Sequence, residues 1–134
     1  MDGVTLTPLN IIPNLKGEVF HAMKSNDRGF NGFGEAYFSS IKNGQIKGWK
    51  KHKKMTLNLV VIIGEVEFII YDEKDFFKTK LSRNNYQRLT LMPNLWFAFK
   101  GCSSENILLN LANIVHDPNE SINIDLKEID YDWL

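Results

Sequence analysis

Turn-forming residues recur about every ten positions along this chain, and no other feature of the sequence narrows its fold so far. Asn43-Gly44, Gly64, Asn84-Asn85, Pro93-Asn94 and Asp117-Pro118 each interrupt short runs of Ile, Val, Phe, Tyr and Thr. Glycine reaches positive φ, asparagine and aspartate hydrogen-bond their own backbone, and proline fixes φ, so each type breaks a strand for its own reason. The runs between them have the β-branched and aromatic make-up of strands. They fall at residues 4–9, 18–23, 34–41, 45–49, 57–63, 65–71, 77–81, 86–92, 96–100 and 106–115. Only four alanines occur, and no long stretch carries an apolar period near ~3.6 residues, so helices are not expected. With 134 residues and no low-complexity linker, the chain predicts a single all-β domain, residues 1–134, of sandwich or barrel type.

Charge narrows the partners. Sixteen Lys plus Arg balance sixteen Asp plus Glu, which removes the net positive field on which nucleic-acid binding depends; no nucleic-acid partner is expected. The balance is uneven along the chain. Lys42, Lys47, Lys50, Lys51, Lys53 and Lys54 form a basic run, while Asp117, Glu120, Asp125, Glu128, Asp130 and Asp132 make the end acidic. Such runs are either two solvated faces or, for the basic one, the mouth of an anion-binding pocket. The lone cysteine, Cys102, cannot close an internal disulfide, and no charged leader precedes a long apolar run, so a reducing, cytoplasmic setting is predicted. The most apolar stretch, 57–63, is far short of the ~20 residues that cross a bilayer, and no membrane partner is expected.

The segment from Gly44 to Gly64 resembles the first cupin motif in the spacing of its glycines. The motif's metal-ligand positions fall on Lys50, His52 and Leu57, and Pro93-Asn-Leu-Trp-Phe97 places Phe97 where the second motif has a histidine. A metal site needs three or four suitable donors, whereas lysines flank His52 and only three histidines exist, His21, His52 and His116. No metal and no other cofactor is expected.

Within the cupins, the chain resembles the dTDP-4-dehydrorhamnose 3,5-epimerase family over residues ~18–133. The resemblance is carried by Gly34-Glu-Ala-Tyr-Phe-Ser-Ser-Ile, by Ile46-Lys-Gly-Trp-Lys-Lys-His, and by the segments 93–100, 110–118 and 130–133. It implies a cupin-type double-stranded β-helix, a jelly-roll sandwich, that is metal-free and homodimeric and acts on a dTDP-4-keto-6-deoxy sugar with a histidine base and a tyrosine acid. The family's Arg-Gly-Leu-His segment aligns with Lys47-Gly48-Trp49-Lys50, and its acid tyrosine aligns near Asn110, so both family catalytic positions are replaced here. Asn26-Asp-Arg-Gly29 echoes the family's Asp-x-Arg-Gly segment. That echo implies Arg28 as a diphosphate ligand and Glu35, two residues beyond the family spacing, as a further substrate contact.

Lys50 and His52 share a strand face by the period of two, and the resemblance turns that face inward. Imidazole titrates near neutrality and suits a base, whereas a lysine ammonium suits the stabilisation of an enolate oxygen. His52 and Lys50 are therefore the candidate catalytic pair, with Lys47 beside them. Asn58 and Asn110 interrupt apolar runs and must find hydrogen bonds, which makes both candidate sugar contacts. Tyr37 and Trp96 are candidates to stack on a base or sugar ring. Two functions remain open: an epimerase or keto-isomerase of a nucleotide-linked 4-keto-deoxysugar, serving surface-polysaccharide sugars, and a non-catalytic cupin that binds a sugar nucleotide or other small ligand. A homodimer is expected in either, since the weakly charged segment 4–12 offers an edge strand in need of cover.

Overall fold

The structure, a computed structural model, describes all 134 residues, and its elements are strands apart from one short 3-10 turn at Leu126–Glu128. In chain order the strands are β1 (Val4–Pro8), β2 (Ile11–Ile12), β3 (Val19–Phe20), β4 (Glu35–Ser40), β5 (Ile46–His52) and β6 (Leu57–Ile63). There follow β7 (Glu65–Tyr71), β8 (Phe76–Ser82), β9 (Gln87–Leu91), β10 (Trp96–Gly101), β11 (Ile107–Ala112) and β12 (Ser121–Asn123). One antiparallel sheet runs β1-β9-β6-β11-β4, the other β12-β5-β10-β7-β8, and β2-β3 forms a small ladder of its own. Facing one another, the two sheets make the cupin-type jelly roll that the sequence predicts. Gly64 carries the chain from β6 in the first sheet to β7 in the second, at φ 80°. A Cβ there would fall 2.0 Å from the Glu105 carbonyl oxygen, so only glycine fits this corner.

Strand alternation decides which side chains meet. Leu57, Leu59 and Val61 of β6, Val66, Phe68 and Ile70 of β7, Leu89 and Leu91 of β9 and Leu108 of β11 fill the space between the sheets. The opposite face of the second sheet carries a separate cluster of Trp49, Ile69, Trp96 and Ala98, covered by Ile124, Leu126, Ile129, Tyr131 and Trp133 of the C-terminal segment. On the outer face of the first sheet, the 21–30 segment is held by Arg88, which is fully buried and donates to the carbonyls of Ala22 and Arg28 at 2.8 Å each. Beyond that segment the face is apolar and open: Phe38 is 68% and Phe33 67% exposed.

Strand limits differ from the sequence reading where packing, not local pattern, sets them. The strand expected at 18–23 shrinks to Val19–Phe20, and the one expected at 45–49 runs on to His52, where β12 supplies a partner. β12 itself and β2 were not foreseen; each is too short to carry an alternation. No helix is long and apolar enough to cross a membrane.

Candidate active site

A cavity of about 320 Å³ opens between the sheets. Tyr37 and Ser39 of β4, Lys47, Lys50 and His52 of β5, and Asn110 of β11 supply much of its polar lining, Leu57, Phe97 and Phe99 its apolar wall. Lys50, His52, Leu57 and Phe97, the positions of the cupin metal ligands, thus converge on one cavity with only one metal-binding side chain among them. Nowhere in the fold do three or more His, Cys, Asp or Glu side chains gather as a metal would require.

Lys47 and Lys50 are three residues apart, a spacing that a regular strand would send to opposite faces. A bulge resolves this. Against β10, Phe97 pairs with Lys50 and Phe99 with Lys47, so β5 spends one extra residue at Gly48-Trp49. The extra residue resets the alternation and turns Lys47, Lys50 and His52 all towards the cavity. Gly48 is required there, since a Cβ would lie 2.3 Å from that of Ala98.

His52 is 8% exposed, and its ring stacks on Phe97 at 5.9 Å between centroids. Its Nδ1 lies 2.5 Å from Oε1 of Glu120, whose Oε2 accepts the backbone N–H groups of Lys54 at 3.0 Å and Met55 at 2.9 Å. Burial would raise the Glu120 carboxyl, but the hydrogen bonds from His52, Lys54 and Met55 outweigh it and hold the group below the usual carboxylate range. An ionised Glu120 accepts, so Nδ1 donates, and Nε2 is the ring nitrogen left out of that hydrogen bond.

No carboxylate lines the cavity, and none of the protein's ion pairs involves Lys47 or Lys50. Lys47 Nζ donates to the Ser40 carbonyl at 2.7 Å. Local charge therefore favours an anion. Asn110 spends its amide N–H groups on the Tyr37 carbonyl at 3.3 Å and Ser39 Oγ at 3.0 Å. Burial, together with the Glu35 carboxylate, pushes the Tyr37 phenol up, which keeps it a proton donor at neutral pH.

Of the residues singled out in the sequence, the cavity gathers Tyr37, Lys47, Lys50, His52 and Asn110. It does not gather Arg28, Glu35, Asn58 or Trp96. Trp96 faces away because it neighbours Phe97 in a strand; it packs in the cluster under the C-terminal segment, with the Lys51 ammonium 4.8 Å from its ring. Asn58 points outward from β6 for the same reason, accepting from Thr90 Oγ1 at 2.5 Å and donating to the Gly29 carbonyl at 3.0 Å. Arg28 is exposed, and its carbonyl, not its side chain, is engaged by Arg88. Glu35 sits at the start of β4 and reaches the site only through its charge on Tyr37. Glu120, Asn123 and Ser39 are the residues that sequence reasoning missed. In the sequence Glu120 is one of the acidic run, and the only signal for it is that a buried histidine wants a partner.

Residues 2–129 match the family described as FdtA: WxcM-like, C-terminal. The solved structure of a dTDP sugar isomerase from Desulfovibrio desulfuricans G20 superposes with a TM-score of 0.93 at 30% identity, over 98% of this chain and 91% of that one. QdtA, a sugar 3,4-ketoisomerase from Thermoanaerobacterium thermosaccharolyticum solved with TDP, superposes at 0.81 with 20% identity, over 91% and 88%. RmlC, a dTDP-6-deoxy-D-glucose-3,5-epimerase from Legionella pneumophila Philadelphia 1, shares the fold at 0.79 and 15% identity, over 94% and 74%. No curated protein matches the chain.

Proposed function

Since the chain belongs to the WxcM-like, C-terminal (FdtA) family, we propose that it isomerises a nucleotide-linked 4-keto-deoxysugar, as a keto-isomerase or epimerase serving surface-polysaccharide sugars. One observation carries the reading: His52 is tied through Nδ1 to a buried, ionised Glu120 and faces a cavity with two lysines and no carboxylate. Proteins similar in fold were solved with TDP and with dTDP-4-keto-L-rhamnose, which supports a dTDP-sugar as the ligand class.

In this mechanism His52 Nε2 takes the proton from the carbon beside the keto group, and the electron pair moves into the carbonyl. The oxygen that gains charge lies against the Lys50 ammonium, which stabilises the enolate more than the ketone. Tyr37 exchanges a proton with the sugar oxygens, and carbon is reprotonated at the neighbouring position in a keto-isomerase or on the opposite face in an epimerase. Either outcome conserves every atom of the sugar. Lys47 takes the diphosphate, and Asn110 Oδ1 accepts from a sugar hydroxyl. No metal or other cofactor enters any step.

A second copy of the chain is the expected protein partner, docked on the open apolar face around Phe33 and Phe38. The unpaired Cys102 fits a reducing, cytoplasmic setting. Incubation with TDP-4-keto-6-deoxyglucose in deuterated water, followed by proton NMR, tests the chemistry. Loss of the signal beside the keto group supports it. Thermal stabilisation by TDP without any exchange would leave a sugar-nucleotide binding protein in its place.

A further inference from the structure

The bulge that turns three cationic or basic side chains into the cavity is clamped from the far side of its sheet. Trp49, the outward residue of the bulge, is fully buried. Its backbone N–H and carbonyl both pair with Ile124 at 3.1 Å, and its Nε1 donates to the Leu126 carbonyl at 3.2 Å. Against the indole stand Trp133, at 5.9 Å between ring centroids, and Tyr131 edge-on at 6.5 Å. Just before this segment lies Glu120, and β12 pairs Ser121 with His52 and Asn123 with Lys50. One stretch of chain therefore grips the bulge through Trp49 and delivers the carboxylate that orients His52.

We propose that the C-terminal segment from Glu120 onward is a positioning strap for the site, with Trp133 and Tyr131 acting through Trp49 to fix where Lys47, Lys50 and His52 point. Neither aromatic residue lines the cavity, so neither touches the ligand. The strap rests on the isomerase reading only for its effect on turnover. Its effect on the His52–Glu120 hydrogen bond does not depend on that reading. Loosening Trp49 lets β5 shift its register, and displacements of about 1 Å at a reacting group cost up to ~100-fold in rate.

The experiment compares the parent with Trp133→Ala and Trp133→Phe. The His52 Nδ1 proton, recorded by nitrogen-15 proton NMR, reports the hydrogen bond to Glu120, and deuterium exchange of TDP-4-keto-6-deoxyglucose reports turnover. Trp133→Ala is expected to remain folded, to lose or broaden the Nδ1 signal, and to lower kcat about tenfold to a hundredfold with KM within about threefold. Trp133→Phe should restore both, because a ring again meets Trp49. If Trp133→Ala fails to fold, Tyr131→Leu gives the same comparison at the strap's other contact. A folded variant with the parent's Nδ1 signal and kcat overturns the strap. A parent that exchanges nothing, together with a variant that loses the Nδ1 signal, overturns the isomerase reading and upholds the strap.

Discussion

At the residue scale, His52 and Lys50 divide the proposed work between a base and a charge. His52→Gln, which keeps a polar side chain but no base, should slow deuterium exchange ~100- to 10,000-fold while TDP still raises the melting temperature. Lys50→Met should slow exchange and leave TDP binding nearly unchanged, because its charge acts where the enolate forms. Glu120 carries a pH signature. Its carboxyl sits below the ordinary value in the fold and returns to about 4.3 in the unfolded chain, so its stabilisation is complete above the unfolded value. As pH falls through the lower folded value, that stabilisation is lost. Urea unfolding between those limits should therefore show a shallower acid decline for Glu120→Gln than for the parent. At neutral pH the variant should be weaker by about 1–3 kcal/mol, since a neutral amide replaces the charge-assisted hydrogen bonds of the carboxylate and can meet Nδ1 only as a donor, which forces the imidazole out of its Nδ1–H form. His52, Lys50 and Lys47 were legible in the sequence because they share one short segment. Glu120 was not, because its pairing spans 68 residues and follows from topology alone.

For the elements, alternation explains both what could be read and what could not. The runs at 57–63 and 65–71 are visible in full, since buried strands are mostly apolar and only Asn58, Glu65 and Glu67 interrupt these two. Which face each residue takes was not visible wherever a bulge resets the count: nothing local in Lys47-Gly48-Trp49-Lys50 announces the extra residue in β5. The same uncertainty of face led to reading Trp96 and Asn58 as ligand contacts. Asn58 instead anchors the 21–30 segment to β6 and β9 through Gly29 and Thr90. Asn58→Val should destabilise the protein by about 1–3 kcal/mol, seen as a lower urea midpoint, because Thr90 Oγ1 loses its acceptor in a buried place. The double variant Asn58→Val, Thr90→Val should recover part of that loss, as both partners are then apolar.

The whole molecule presents one apolar face without a cover. Outward positions of β4 and β11, Ala36, Phe38, Ser40, Ile107, Leu109 and Leu111, carry no charge at all. Light scattering at micromolar concentration is expected to give a dimer, and Phe38→Lys, at an exposed position that costs the lone chain little, should give a monomer. A parent that is monomeric would remove this face as the interface. Edge-strand cover, the ground on which the sequence predicted pairing, concerns the segment 4–12 instead. Part of it is already occupied within the chain, where β1 pairs with β9. The position of the strap has a consequence for synthesis. A ribosome delivers the basic wall of the cavity well before the carboxylate that meets its histidine, since 68 residues separate His52 from Glu120. Throughout that interval the basic wall stands without its carboxylate, and the proposed chemistry waits until Glu120 has emerged and the segment behind it has closed over Trp49.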